Sequence, residues 1–177
     1  AARCAAPETM NDLRLQDSDF DDTDRSFMAA ALERAVQAEA AGEVPVGAVL
    51  VVAGSIAGTG WNRNISLNDP AAHAEIMALR AGGETLKNHR FPGATMYVTL
   101  EPCAMCVGAM IHARIERVVY AASDPKTGAL GGAYDLQGMH RHNHQFEVRG
   151  GLMADEASAM LRAFFRARRR SGGSDSP

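Results

Sequence analysis

Two cysteines three residues apart, Cys103 and Cys106, follow Pro102, and a histidine with a nearby carboxylate, His73 and Glu75, precedes that proline with 26 residues intervening. A Cys-x-x-Cys pair at the start of a helix turns both sulfurs toward one point. The positive end of the helix lowers the pKa of thiols placed there, and proline suits the first positions, where an N–H has no partner. One histidine supplies a third ligand. Three protein ligands leave the fourth corner of a zinc tetrahedron open to water, which distinguishes a catalytic zinc from a structural one. No second Cys-x-x-Cys is present to close a four-sulfur site, and the remaining cysteine, Cys4, falls in an acidic N-terminal stretch. Taken alone, a single Cys-x-x-Cys also fits a redox pair or a chance spacing, and a lone histidine is ordinarily structural. His73 and Glu75 together favour the metal.

Glu75 is expected to move protons and not to bind metal. Zinc lowers the pKa of a bound water to about 7, and the resulting nucleophile can attack the amine-bearing carbon of an aromatic base. A carboxylate within reach can take the water's proton, pass it to the ring nitrogen and protonate the leaving amine.

The elements that must position these residues follow from the patterning. Alanine-rich periodicity predicts a helix over 24–41, stopped by Gly42. The β-branched run 44–52 and the stretch 56–61, joined through Ala53-Gly54, predict a hairpin. Residues 62–70 are polar and read as a loop. A second helix is expected over 72–81, ending at Gly82-Gly83, then a strand over 95–100 that runs directly to Pro102. Further expectations are a helix over 104–113, a strand over 117–121, a long histidine-bearing loop over 124–143, a short strand over 146–149 and a last helix over 154–169. Strands alternating with helices predict an α/β fold, a three-layer α/β/α arrangement with a mixed five-stranded sheet flanked by helices. Both halves of the metal motif would then lie where strands hand over to helices, the usual place for sites in such sheets.

Composition is that of a globular chain, 46% apolar and 22% charged, and no apolar run approaches the roughly 20 residues of a bilayer span. Three cysteines give no disulfide framework, which suits a cytoplasmic location. Residues 1–23 are expected to form a disordered acidic tail, with Met10 a candidate native start; 24–170 form one domain, and 171–177 a second disordered tail. Residues 1–25 hold seven acids against three arginines, whereas 141–170 hold seven arginines against three acids. A basic end is compatible with an anionic partner, although arginines on a helix are often merely solvated.

His-x-Glu followed by Pro-Cys-x-x-Cys is similar to the signature of the zinc-dependent nucleobase deaminases. The runs EVPVGAVLV (43–51), GWNR (60–63), HAEIMALR (73–80), YVTLEPC (97–103), GAMIH (108–112), DPKTG (124–128) and FFR (164–166) resemble the bacterial tRNA-specific adenosine deaminases over about residues 24–170. That resemblance implies the cytidine-deaminase-like fold, one Zn2+ per subunit, a homodimer, and conversion of adenosine to inosine at the first anticodon position of an arginine tRNA. It also implies that His73, Cys103 and Cys106 hold the metal and that Glu75 shuttles protons. Asn62 and the backbone N–H of Ala74 would contact the flipped nucleotide, Asp124 and Lys126 would lie beside the anticodon stem-loop, and Phe165, Arg168 and Arg169 would sit near the RNA. Of Phe164 and Phe165, at least one is expected in the core. The segment 137–144 departs from the family's usual run, and its histidines are read as part of a solvated RNA-facing loop in preference to a second metal site. The alternatives are a zinc deaminase of a free base or nucleoside, of guanine or cytosine type, and a zinc-stabilised RNA-binding module without chemistry. The arginine-rich C-terminal helix, which a small-molecule enzyme does not need, separates the first alternative from the leading one.

Overall fold

The computed structural model describes residues 20–138 and 142–171. Cys4, Met10 and most of the two expected tails, residues 1–19 of 1–23 and 172–177 of 171–177, lie outside the described residues.

The hairpin forms as expected. Strands β1 (Gly47–Val52) and β2 (Ser55–Trp61) are antiparallel, and the turn places both Ala53 (φ 49°) and Gly54 (φ 74°) in the left-handed region, the backbone that a two-residue hairpin requires. Strand β3 (Thr95–Leu100) pairs antiparallel with β1, and β4 (Arg117–Ala122) and β5 (Glu147–Gly150) extend the sheet in parallel. The sheet order is β2-β1-β3-β4-β5.

Strand alternation divides the core in two. Ala48, Leu50, Met96, Val98 and Val118 face helices α3 (Ala74–Leu86) and α4 (Ala104–Ala113) through Ala78, Cys106, Val107 and Met110. Val49, Val51, Tyr97, Val119 and Ala121 face α1 (Asp22–Ala40) and α5 (Ala154–Ser171) through Met28, Ala31 and Ala157. Hydrophobic residues on both sides of the strands are what a sheet covered on both faces demands, and the expected three-layer arrangement is present.

Five local expectations need correction. Helix α1 starts at Asp22, not 24: Asp21 caps it by accepting from the Asp24 N–H at 2.7 Å, and Phe20 is packed in the core. The 62–70 loop contains a single helical turn, α2 (Asn64–Leu67), held by the Glu43 carboxylate, which accepts from the N–H groups of Ile65 (3.1 Å) and Ser66 (2.7 Å). Helix α3 does not stop at Gly82-Gly83 but continues to Leu86, where Lys87 takes the left-handed cap at φ 52°. Gly82 is there for close packing, because a Cβ on it would lie 2.5 Å from Leu50 Cδ2. Strand β1 begins three residues later than the hydrophobic run suggests, and β5 is displaced by one residue, with Phe146 buried ahead of it. Among the described residues no helix is long and apolar enough to cross a membrane.

Candidate metal centre

Two helix starts converge on one point. β2 lies close against α3 because Gly60 has no side chain; a Cβ there would sit 2.2 Å from the Ala74 carbonyl. This contact sets the start of α3, where His73 is the N-cap residue with extended backbone (φ −74°, ψ 155°). β3 leads through Glu101 and Pro102 to Cys103, the N-cap residue of α4, also extended (φ −77°, ψ 172°). Neither side chain caps its helix, so both are available as ligands. Cys106, one turn into α4, is fully buried.

The three donor atoms form a triangle. Cys103 Sγ and Cys106 Sγ are 3.8 Å apart, and each lies 3.6 Å from His73 Nδ1. A tetrahedral zinc with Zn–S of about 2.3 Å and Zn–N of about 2.0–2.1 Å requires edges of about 3.8 Å between sulfurs and about 3.6 Å between nitrogen and sulfur. The triangle has those edges, and the residues fit zinc. Among the described residues these three make up the His/Cys/Asp/Glu group compact enough to hold a metal ion.

The three ligands shift one another's proton affinities. The hydrogen bond with Cys106 lowers the Cys103 thiol to about 4, with His73 assisting against the cost of burial. Cys106 is pushed up by its hydrogen bond with Cys103 and by burial. His73 is raised by its hydrogen bond with Cys103. Both cysteines hold zinc as thiolates, so metal binding releases protons. Glu75, in the first turn of α3, is only 3% exposed. Burial raises its carboxyl, partly offset by its own N–H, His73 and Cys106.

The triangle opens on a pocket of about 270 Å³ whose lining includes Asn62, His73, Glu75, Cys103, Asp124 and Thr127, with Val44, Val46 and Leu100 as apolar walls. This volume is near the lower bound of about 300 Å³ for small-molecule sites, a space for one ring system. A larger cavity of about 620 Å³ runs along α3 and α4 beside Ile76, Leu79 and Phe91. It contains none of the ligands, and the chemistry selects the smaller space.

The expected contact residues are distributed unevenly. Asn62 and Asp124 line the pocket. The Ala74 N–H, expected to face a ligand, instead donates to Asn62 Oδ1 at 2.9 Å, and Ala74 is fully buried; it aims the Asn62 amide. The Asp124 carboxylate accepts from the Lys126 and Thr127 N–H groups and the Thr127 hydroxyl, shaping its own turn, and Lys126 is exposed. On α5, Phe164 is core (7% exposed) while Phe165 (44%) and Arg169 face outward. Arg168 reaches back: it donates to the Gly42 carbonyl at 3.0 Å and lies 5.0 Å over the Phe164 ring. These α5 residues stand outside the pocket lining.

Among the described residues of the histidine segment, 142–144 make main-chain contacts. His142 Nε2 bonds the Leu136 carbonyl at 2.8 Å, His144 Nε2 bonds the Ile115 carbonyl, and Arg114 donates to the Asn143 carbonyl at 2.7 Å. His140 lies outside the described residues. Two buried acids were given no role from sequence: Glu43, which holds α2, and Glu101, which holds the loop after β4. Both stand inside the motif runs EVPVGAVLV and YVTLEPC, but their partners are backbone groups that no motif displays.

Residues 21–122 match the family described as the cytidine and deoxycytidylate deaminase zinc-binding region. The chain is 52% identical over 147 residues, covering 82% of this chain and 85% of the relative, to a tRNA-specific adenosine deaminase of Haemophilus influenzae. A solved structure from a study of A-to-I editing by tRNA deaminases at the wobble position of transfer RNA superposes with a TM-score of 0.72 at 43% identity, covering 77% of this chain and 99% of the other. A guanine deaminase from Nitrosomonas europaea superposes with a TM-score of 0.68 at 27% identity, over 79% and 83% of the two chains.

Proposed function

We propose, for a chain that belongs to the tRNA-specific adenosine deaminase family within the cytidine and deoxycytidylate deaminase zinc-binding group, that its substrate is an arginine tRNA carrying adenosine at the first anticodon position. The chain is a zinc-dependent deaminase, a hydrolase acting on tRNA adenosine, and its product at the wobble position is inosine. The observation that carries the reading is the His73–Cys103–Cys106 triangle at zinc edge lengths, opening on a base-sized pocket that also contains Glu75 and Asn62.

His73, Cys103 and Cys106 would hold the zinc, which when bound supplies the Lewis acidity that makes water a nucleophile near neutral pH. Glu75 accepts the proton of the attacking water, delivers it to the ring nitrogen beside the amine-bearing carbon, and then passes the remaining hydroxyl proton to the departing amine. The balance is adenosine plus water giving inosine plus ammonia. Its burial supports this role, because a carboxylate disfavoured as the free anion is ready to hold a proton between transfers. Asn62, with its Oδ1 engaged by the Ala74 N–H, turns its amide nitrogen into a donor for the base.

Asp124 and Lys126 would face the anticodon stem-loop from the turn that Asp124 shapes, and Phe165 and Arg169 would meet RNA from the exposed side of α5. Arg168 would link that helix to the pocket rim through Gly42, next to the pocket residue Glu43. Phosphate contacts of this kind make binding salt-dependent. A cytoplasmic homodimer is part of the proposal, on the strength of the family.

The test is a single-turnover assay of zinc-loaded protein on an arginine-tRNA anticodon stem-loop, read by sequencing inosine as G, with free adenosine, cytidine and guanine alongside. Conversion of the first anticodon adenosine is expected. Ammonia from guanine with no RNA conversion would move the assignment toward the guanine deaminases, whose fold is shared.

A further inference from the structure

Glu101 lines the pocket, two residues before the ligand Cys103, and is 3% exposed. Its carboxylate is surrounded by donors. Oε2 accepts from the Ser123 hydroxyl and the Asp124 N–H, both at 2.9 Å; Oε1 accepts from the Leu130 N–H at 3.0 Å and the Gly132 N–H at 2.8 Å. The chain passes so close to the carboxylate that side chains are excluded. A Cβ on Gly128 would lie 2.4 Å from Glu101 Cδ, and one on Gly132 would lie 2.2 Å from Oε2. The same loop is stitched to the metal ligand's own strand end: the Ala129 N–H donates to the Pro102 carbonyl at 2.8 Å, and Gly128 bridges to Cys103. Asp124 and Thr127, from this loop, line the pocket.

We infer that Glu101 is a positioning residue for the deamination, holding the 123–132 loop as one wall of the substrate pocket and seating Asp124 and Thr127 against the bound nucleotide. Four donors converge on four lone-pair directions, which a carboxylate supplies and no other side chain of that length does. Glutamine in its place would turn an NH2 toward at least one backbone N–H, leaving a buried donor unpaired. Aspartate would fall one methylene short. The inference rests on the reading of this pocket as the nucleotide site.

The experiment compares wild type with Glu101→Gln and Ser123→Ala in three measurements: zinc content, hydrogen exchange at the amides of Asp124, Leu130 and Gly132, and KM and kcat on the anticodon stem-loop. Glu101→Gln should keep one zinc per chain, lose protection at those three amides, and raise KM by about tenfold or more with kcat within about threefold, since a displaced wall weakens ground state and transition state alike. Ser123→Ala removes one exposed donor and should move KM and protection in the same direction to a smaller extent, which keeps the test decisive if the glutamine variant does not fold. Unchanged protection, or lost protection with unchanged KM, overturns the inference; so does a fall in kcat alone, which would place Glu101 in the chemistry. The exchange measurement needs no substrate. Wild type inactive on the stem-loop would refute the substrate reading, while protection kept or lost in Glu101→Gln would still decide whether the carboxylate holds the loop.

Discussion

Replacing Glu75 by glutamine separates proton transfer from every other function of the site. The side chain keeps its length and its place in the first turn of α3, and it is not a corner of the ligand triangle, whose atoms are His73 Nδ1 and the two sulfurs. Zinc content should therefore remain at one per chain. Stability at neutral pH should be unchanged or higher, because burial already works against a charge at this position. Turnover should collapse. An amide can hydrogen-bond but cannot carry a proton from water to a ring nitrogen, and a positioned acid–base group contributes about 10²- to 10⁴-fold. At about 1.36 kcal/mol per decade, that corresponds to about 3–5.5 kcal/mol of barrier. The three transfers share one carboxylate, so the slowest sets the loss and the factors do not multiply. The assay is single-turnover conversion of an anticodon stem-loop with metal content measured on the same preparation. Turnover within tenfold of wild type in fully metallated protein would remove Glu75 from proton transfer. Loss of zinc would show that Glu75 is a ligand and that the three-ligand assignment is wrong.

Cys106→Ala should lower zinc affinity by more than the roughly 100-fold seen when a mere supporting residue is lost, measured by competition with a chelator, and deamination should fall in proportion to bound metal. Asp24 lies far from the pocket chemistry and makes a stability prediction. It accepts from both Arg117 guanidinium nitrogens (2.7 and 2.9 Å) and from the Tyr97 hydroxyl (2.7 Å). Asp24→Asn breaks a mostly buried pair, at a cost of about 3 kcal/mol and, for a domain of this size, about 6–12 °C in Tm by thermal melt. Burial raises the Asp24 carboxyl, but the Arg117 and Tyr97 hydrogen bonds outweigh it and hold the group below its ordinary range. Its stabilisation is therefore present above the unfolded value of about 3.9 and lost as pH falls through the lower folded value. The Tm gap between wild type and Asp24→Asn should be full above about pH 5 and close in more acidic solution; a gap independent of pH would mean that packing, not charge, explains the loss.

What could be read in advance divides according to how far apart in sequence the partners lie. The bounds of α4, Ala104–Ala113, are legible because their causes are local: Pro102 and Cys103 ahead of the first turn, and Arg114 taking the left-handed cap at φ 60° behind it. The ligand trio is legible because each ligand sits at or next to such a local start. Gly82 misleads because its reason is not in α3 at all but in Leu50, across the sheet, so a residue that ordinarily ends helices here admits a neighbour. The contact of His144 is hidden in the same way: it meets a carbonyl 29 residues distant at Ile115, and the segment's composition says nothing of it. Glu101 is the extreme case. Its four donors come 22 to 31 residues later, three of them are backbone N–H groups, and every residue but proline offers one. A motif records the side chains that chemistry needs. Glu43 and Glu101 stand inside such motifs, and their function is to hold main chain in place around the residues that react.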